Sequence, residues 1–152
     1  MLTNFYKKTV IVDTSCLLAF AHIGRVSLLQ ELCPQLIVTP EVAKEYQADL
    51  PPWIQVVSVQ NTVLTKSINA LLGLGEASTI ALALETHNPL IILDDKRARA
   101  YAKNLGLNYT GVIGLLRLGH KKGIIKDIDV IIAGLMGSHF YLPNNVEKLI
   151  NK

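Results

Sequence analysis

The chain is sparing in the residues that most quickly narrow a function. It has two cysteines in 152 residues, Cys16 and Cys33, and no CxxC pair. Neither a disulfide framework nor a cysteine zinc site is therefore written into it, and both thiols read as reduced, buried small hydrophobes. The four histidines, His22, His87, His120 and His139, show no HxH or HxxxH spacing, which leaves zinc without ligands. Aromatic residues make up 6%, too few to suggest a platform for stacking bases. Charged residues make up only 18% against 50% hydrophobic, which excludes a disordered chain. Ten glycines and six prolines exclude collagen-like and low-complexity classes. Mean hydropathy is high at +0.34, yet no run of about 18 apolar residues occurs, so no membrane-spanning helix is expected.

What is present fits one domain over residues 1–152, with a C-terminal helical extension at 127–152. The formal net charge of +3 carries little information by itself. The N-terminus imitates a signal peptide, with Lys7-Lys8, an apolar stretch and Ala19-Phe20-Ala21 as a mock cleavage site. Asp13 in the middle of that stretch spoils the apolar region. A buried strand ending in a carboxylate is the better reading, and a cytoplasmic location is expected.

Thr9-Val10-Ile11-Val12 is the β-branched run of a strand buried on both faces of a parallel sheet. Asp13-Thr14-Ser15 supplies capping chemistry for a helix from Cys16 to about Ile23, and a second short helix spans Val26 to Leu32. Leu36-Ile37-Val38 reads as a strand, and Thr39-Pro40 opens a helix to about Ala48. A third strand is expected over Ile54 to Val59 and a helix over Asn61 to Leu72. After Gly73-Leu74-Gly75, a helix runs from Glu76 to about Thr86. Leu90-Ile91-Ile92-Leu93 is a second wholly apolar strand. A basic helix covers Lys96 to Leu105, a short strand lies near Leu107–Tyr109, and a helix runs from Val112 to about Lys122. One or two more helices are expected, around Ile128–Met136 and Asn145–Ile150. Strands alternating with helices give an α/β fold with a mainly parallel sheet.

Two apolar strands end in acid, Asp13 after the first and Asp94-Asp95 after the later one. In open parallel sheets function collects beyond the carboxyl ends of the strands. Glu45, about one turn into the helix after the second strand, and Glu76, after Gly75, should open near the same rim. Carboxylates gathered there repel one another without a cation, and hard oxygen ligands suit Mg²⁺ or Mn²⁺. Each acid also has a plainer reading. Asp13 caps the helix at Cys16, Asp94 or Asp95 caps the Lys96 helix, and Glu41 and Glu76 complement helix dipoles in first turns. Glu45 lies past the first turn, so the dipole explains it less well.

From Lys96 to Lys126 there are eight basic residues (Lys96, Arg97, Arg99, Lys103, Arg117, Lys121, Lys122, Lys126) and no acid. A cationic surface beside an acidic rim suits a polyanion held by its backbone; the plainer reading is a solvated helix face. Other motifs fall away. Gly73-Leu74-Gly75 is preceded by a helix, where a dinucleotide loop needs a strand. Ser15 stands where a haloacid-dehalogenase-type phosphatase has its second aspartate. The acidic pair follows a late strand, where a response-regulator receiver needs it after the first, and no GxSxG occurs.

Taken in order, the acidic segments resemble the PIN-domain family, the fold of VapC-type toxin ribonucleases. Ile11-Val12-Asp13-Thr14-Ser15 looks like its opening strand and first acid, and Pro40 to Glu45 like the helix carrying its second acid. Gly75-Glu76-Ala77-Ser78-Thr79-Ile80-Ala81-Leu82-Ala83 resembles a third acid heading an alanine-rich helix. Ile91-Ile92-Leu93-Asp94-Asp95-Lys96-Arg97-Ala98-Arg99 resembles the last acidic strand end. Gly111-Val112-Ile113-Gly114-Leu115-Leu116 looks like the glycine turn of a PIN branch of unassigned function. The resemblance covers about residues 8 to 125. It departs at Leu93, where many toxins have threonine, and at Glu76, one methylene longer than the frequent aspartate.

The resemblance implies a three-layer α/β/α sandwich and a Mg²⁺- or Mn²⁺-dependent endoribonuclease, acting through in-line attack of water and leaving a 5′-phosphate and a 3′-hydroxyl. Asp13, Glu45, Glu76 and Asp95 would be its catalytic and metal-holding acids, with Asp94 an alternate. Thr14 and Ser15 would orient water or a carboxylate, and Lys96, Arg97, Arg99 and Lys103 would hold the RNA backbone. A toxin role in a type II toxin–antitoxin pair, a small antitoxin partner and a homodimer are implied with it. The apolar helix with Val130, Ile131, Ile132, Leu135 and Met136 is the candidate dimer contact; its plainer reading is core packing. The competing functions are a PIN module that binds RNA or protein without turnover, a Mg²⁺-dependent phosphohydrolase of small esters, and a purely structural subunit.

Overall fold

The computed structural model describes residues 7–138 and 148. Its elements run β1 (Thr9–Val12), α1 (Thr14–His22), α2 (Val26–Leu32), β2 (Leu36–Val38), α3 (Pro40–Tyr46), β3 (Gln55–Val56) and α4 (Thr62–Asn69). They continue with α5 (Leu74–Glu85), β4 (Pro89–Ile92), α6 (Lys96–Asn104), β5 (Tyr109–Thr110), α7 (Val112–Lys121) and α8 (Ile128–Met136). The helix expected at Asn145–Ile150 lies outside the described residues, Lys148 apart.

The five strands form one sheet in the order β3-β2-β1-β4-β5, and every pairing is parallel. The register sets Ile11 opposite Ile37 and Ile91, and Val12 opposite Ile92. Strand residues alternate between two cores, as period-two geometry requires. Val10, Val12, Leu36, Val38, Leu90 and Ile92 face the layer containing α1, α2, α7 and α8. Ile11, Ile37, Ile91 and Leu93 face the other layer, where Ile68, Ala77, Ile80, Ala81, Ala98 and Ala102 lie. The result is a three-layer α/β/α sandwich, and small alanines on α5 and α6 let those helices lie close to the strands.

The chain winds outward from β1 through β2 to β3, then returns to the other side of β1 with β4 and β5. The direction of winding thus reverses between β1 and β4. In open parallel sheets that point leaves a crevice beyond the strand ends. The sequence places Asp13 and Asp94 there.

Several bounds differ from expectation, the helix starts through their caps and the two edge strands through their pairing with β2 and β4. α1 begins at Thr14, because Asp13 is its N-cap, accepting from Cys16 N–H. α5 begins at Leu74 because Gly73, not a later residue, is the N-cap, which puts Gly75 inside the first turn. α3 stops at Tyr46, with Gln47 in the left-handed region at φ 57°. The third strand contracts to Gln55–Val56, both exposed at the sheet edge, although Val57 N–H still donates to Val38 C=O. The strand expected near Leu107–Tyr109 falls at Tyr109–Thr110. In α8, Ile131, Ile132 and Leu135 are buried in the core, leaving Val130 and Met136 as its large exposed apolar residues. Among the described residues no helix is long and apolar enough to cross a membrane.

Candidate active site

Asp13 is the most enclosed acid of the rim, 3% exposed. Its Oδ1 accepts from Cys16 N–H at 3.1 Å, and both its oxygens lie 3.1 Å from the Ser15 hydroxyl, which donates to them. Burial pushes its carboxyl up to about 7, and the charges of Asp94 and Glu76 add to the rise, against the lowering by Cys16 and Ser15. The capping reading is therefore correct, but it does not account for the burial or for the acidic neighbours. Asp95 caps α6 equally well from an exposed position, accepting from Ala98 N–H at 2.9 Å.

Glu45 reaches the rim from the last turn of α3. Thr14 Oγ1 donates to its Oε2 and Gly75 N–H donates to its Oε1 at 3.1 Å. These two bonds tie three elements together: the start of α1, the end of α3 and the first turn of α5. The approach is close enough that a Cβ on Gly75 would lie 2.5 Å from Glu45 Oε2 and 3.1 Å from its Cδ. The glycine is there for contact, since its side-chain position is filled by a carboxylate.

Glu76 is the third residue of α5 and bonds back to the backbone of the cap residue Gly73, the reciprocal half of a capping box. Its carboxyl is nonetheless held above the ordinary range, by burial first, then by Asp95 and Glu45, while Gly73 and Arg97 act the other way. Asp94 is also raised by burial, opposed by Val112 N–H and by Arg99. Its Oδ2 accepts from Val112 N–H at 3.2 Å, and its Oδ1 lies 3.4 Å from Arg99 Nη2.

Among the described residues no three His, Cys, Asp or Glu side chains stand close enough to hold a metal ion as they are placed. The acids instead rest on donors of their own: Ser15 and Cys16, Thr14 and Gly75, Val112 and Arg99, and Ala98. The donor chemistry still suits a divalent ion, because each carboxylate has about four lone-pair sites and these bonds leave some free.

The basic residues divide. Lys96 and Lys103 are exposed, and so is Arg97, whose Nη2 donates to Leu71 C=O at 2.9 Å. Arg99 turns inward: its Nε donates to Leu93 C=O at 2.5 Å and its guanidinium lies 5.5 Å from the Tyr109 ring centroid. The two thiols stay protonated, with Cys33 pushed up to about 12 by burial and Cys16 raised by burial and by Asp13.

Beneath the rim, the buried Thr39 and Ser78 hydroxyls are 2.7 Å apart. Thr39 caps α3 through Val42 N–H, while Ser78 and Thr79 donate to Gly75 C=O. This network, Gly75 and the inward Arg99 are the parts of the site that sequence reasoning missed. Gly75, adjoining an acid inside what proved to be a helical turn, and Thr39, legible as a helix cap, offered the signals there were.

No match was found among curated proteins or among solved structures. A family model for the PIN domain matches residues 9–152 and so includes the segment after residue 125 that the motifs did not reach. With the all-parallel sheet, the 3-2-1-4-5 strand order and the acidic crevice at its point of reversal, the match shows that this chain belongs to the PIN-domain family.

Proposed function

We infer that the protein is a Mg²⁺- or Mn²⁺-dependent endoribonuclease. PIN domains are generally nucleases, and the observation that carries the reading here is the placement of Asp13. A carboxylate held up to about 7 by burial beside Asp94 and Glu76 destabilises the folded chain when ionised. Capping alone needs no such arrangement, whereas a divalent cation offsets the repulsion.

In this reading Asp13, Glu45, Glu76 and Asp95 hold one or two ions, with Asp94 in support. When bound, the ion neutralises charge on the scissile phosphate and makes water more acidic. Ser15 fixes the Asp13 carboxylate, and Thr14 with Gly75 fixes that of Glu45. Lys96, Arg97 and Lys103 draw the polyanion to the rim and screen its charge against the acids. A cleft of about 550 Å³ beside Glu45, bordered by Pro40, Glu41, Lys44, Gln47 and Leu74, gives the strand room. Products carry a 5′-phosphate and a 3′-hydroxyl. A toxin role with a small blocking antitoxin, and a homodimer touching through Val130 and Met136, extend this reading and rest on the family resemblance.

A second reading, a PIN module that binds RNA or protein without turnover, is favoured by the acids resting on their own donors. Labelled single-stranded RNA incubated with Mg²⁺, Mn²⁺ or EDTA, beside Asp13→Asn, separates the two. Metal-dependent cleavage that vanishes in the variant supports the nuclease. Mn²⁺ binding by calorimetry without cleavage selects the inactive module.

A further inference from the structure

We propose that Arg99 is a positioning residue of the acid cluster, clamping Asp94 beside Asp13, and that Gly111 exists to leave room for the clamp. The proposal rests on the reading of that cluster as a metal site.

The geometry is specific. Arg99 spends its Nε on Leu93 C=O, its Nη2 on Asp94 Oδ1 and its guanidinium face on Tyr109. Leu93 is the residue between the end of β4 and Asp94, and Tyr109 opens the neighbouring strand β5. One side chain therefore grips the carbonyl before the acid, the acid itself and the adjoining strand. The other Asp94 oxygen is held by Val112 N–H in the first turn of α7. Asp94 is thus held from both sides, by Arg99 Nη2 at one oxygen and Val112 N–H at the other.

Gly111 stands where these parts meet. A Cβ there would collide with Arg99 Nη2 and with Asp94 Oδ1, and would lie 3.3 Å from Asp94 Cγ. Its φ of −111° is open to any residue, so a side chain there would strain no backbone and would instead displace the ends of Arg99 and Asp94. Planarity matters as well. The fork of a guanidinium serves a carbonyl and a carboxylate at once while stacking on a ring, and a lysine ammonium cannot. Arg99 differs in this from Lys96 and Lys103, whose ammonium groups are exposed and free to meet a phosphate backbone.

The test measures Mn²⁺ affinity by calorimetry without RNA, and kcat and KM with RNA, for wild type, Arg99→Lys, Gly111→Ala and Lys96→Gln. Melting curves confirm that each chain is folded. The expected result is Mn²⁺ binding weakened about 10–100-fold in Arg99→Lys and Gly111→Ala, the range typical of residues that orient metal ligands. Lys96→Gln should bind Mn²⁺ like the wild type and raise KM for RNA alone. In Arg99→Lys the loss should fall on kcat, with KM nearly unchanged. Should Gly111→Ala fail to fold, Arg99→Lys alone decides.

Wild-type Mn²⁺ affinity in Arg99→Lys, with a raised KM for RNA, would make Arg99 a backbone contact and overturn the proposal while leaving the nuclease intact. A wild-type chain that binds no Mn²⁺ overturns the metal-site reading itself, and the proposal falls with it.

Discussion

Thr14 donates its hydroxyl proton to Glu45 Oε2 across 31 positions of sequence, and Gly75 N–H takes the other oxygen of the same carboxylate. Glu45 is thus an exposed side chain with a fixed orientation, directed to the rim by α1 and α5 together. Gly75→Ala should push Glu45 aside, and Thr14→Val should release one of its oxygens. Both variants should remain folded, and each should weaken Mn²⁺ binding by about tenfold, as loss of an orienting bond does elsewhere. Calorimetry paired with thermal melts checks this; unchanged affinity in both would show that Glu45 is not a ligand.

The Asp13 carboxyl makes stability depend on pH in a stated direction. Its folded value, about 7, lies above the ordinary 3.8, so between about pH 4 and pH 7 the folded chain holds a proton that the unfolded chain has lost. Stability contributed by this group therefore falls as pH rises through that window and is level above it. At roughly 1.4 kcal/mol per unit, the full effect is up to about 4 kcal/mol. Asp13→Asn should remove that dependence, gain stability at pH 8 and lose cleavage. Urea midpoints at pH 5 and pH 8 measure it, and a variant no more stable than wild type at pH 8 would contradict it.

Metal and proton should compete for Asp13. A divalent ion needs the carboxylate, so Mn²⁺ affinity should rise with pH up to about 7 and level off, and binding below that value should release protons. Calorimetry in buffers of different ionisation enthalpy counts them. A pH-independent affinity between pH 5 and pH 8 would place the ion away from Asp13.

The Thr39–Ser78 hydroxyl pair joins the helices that bring in Glu45 and Glu76. Ser78→Ala leaves Thr39 Oγ1 buried with its Val42 bond only, and should cost about 1–3 kcal/mol. Thr39→Val also removes a helix cap and should cost about 1 kcal/mol more. The double variant should cost less than the sum of the singles, because the two hydroxyls share one bond. Urea denaturation of the four chains gives the cycle; strict additivity would show that the pair is not coupled.

The sequence made the centre of this fold easy to read and its edges hard. β1 and β4 are buried on both faces, so Val10–Val12 and Leu90–Leu93 stand out as unbroken β-branched or aliphatic runs. β3 and β5 are two residues each and owe their existence to neighbours, which no local pattern encodes. Asp13, Asp94 and Asp95 were legible because strand ends are marked by a change from apolar to acidic. Glu76 was legible as an acid, but its helix starts two residues earlier than the glycines suggested. Arg99 read in sequence like its basic neighbours, and its bonds to Leu93 and Asp94 and its place over Tyr109 were not legible, because charge alone does not tell which groups a guanidinium meets. Contacts such as Thr14–Glu45 and Thr39–Ser78 link separate helices and exist only in three dimensions.

The reversal of winding between β1 and β4 also imposes an order on synthesis. The first acid is made at residue 13, yet its neighbours across the crevice, Asp94 and Asp95, come more than 80 residues later, on the far side of a strand that must seat against β1. A chain still emerging from the ribosome holds β1 with one edge unpaired and only part of the acidic rim, and it has no clamp on Asp94 until β5 and α7 follow. The acidic rim is therefore complete only once most of the chain has been made, because residues from both sides of β1 must be in place to form it.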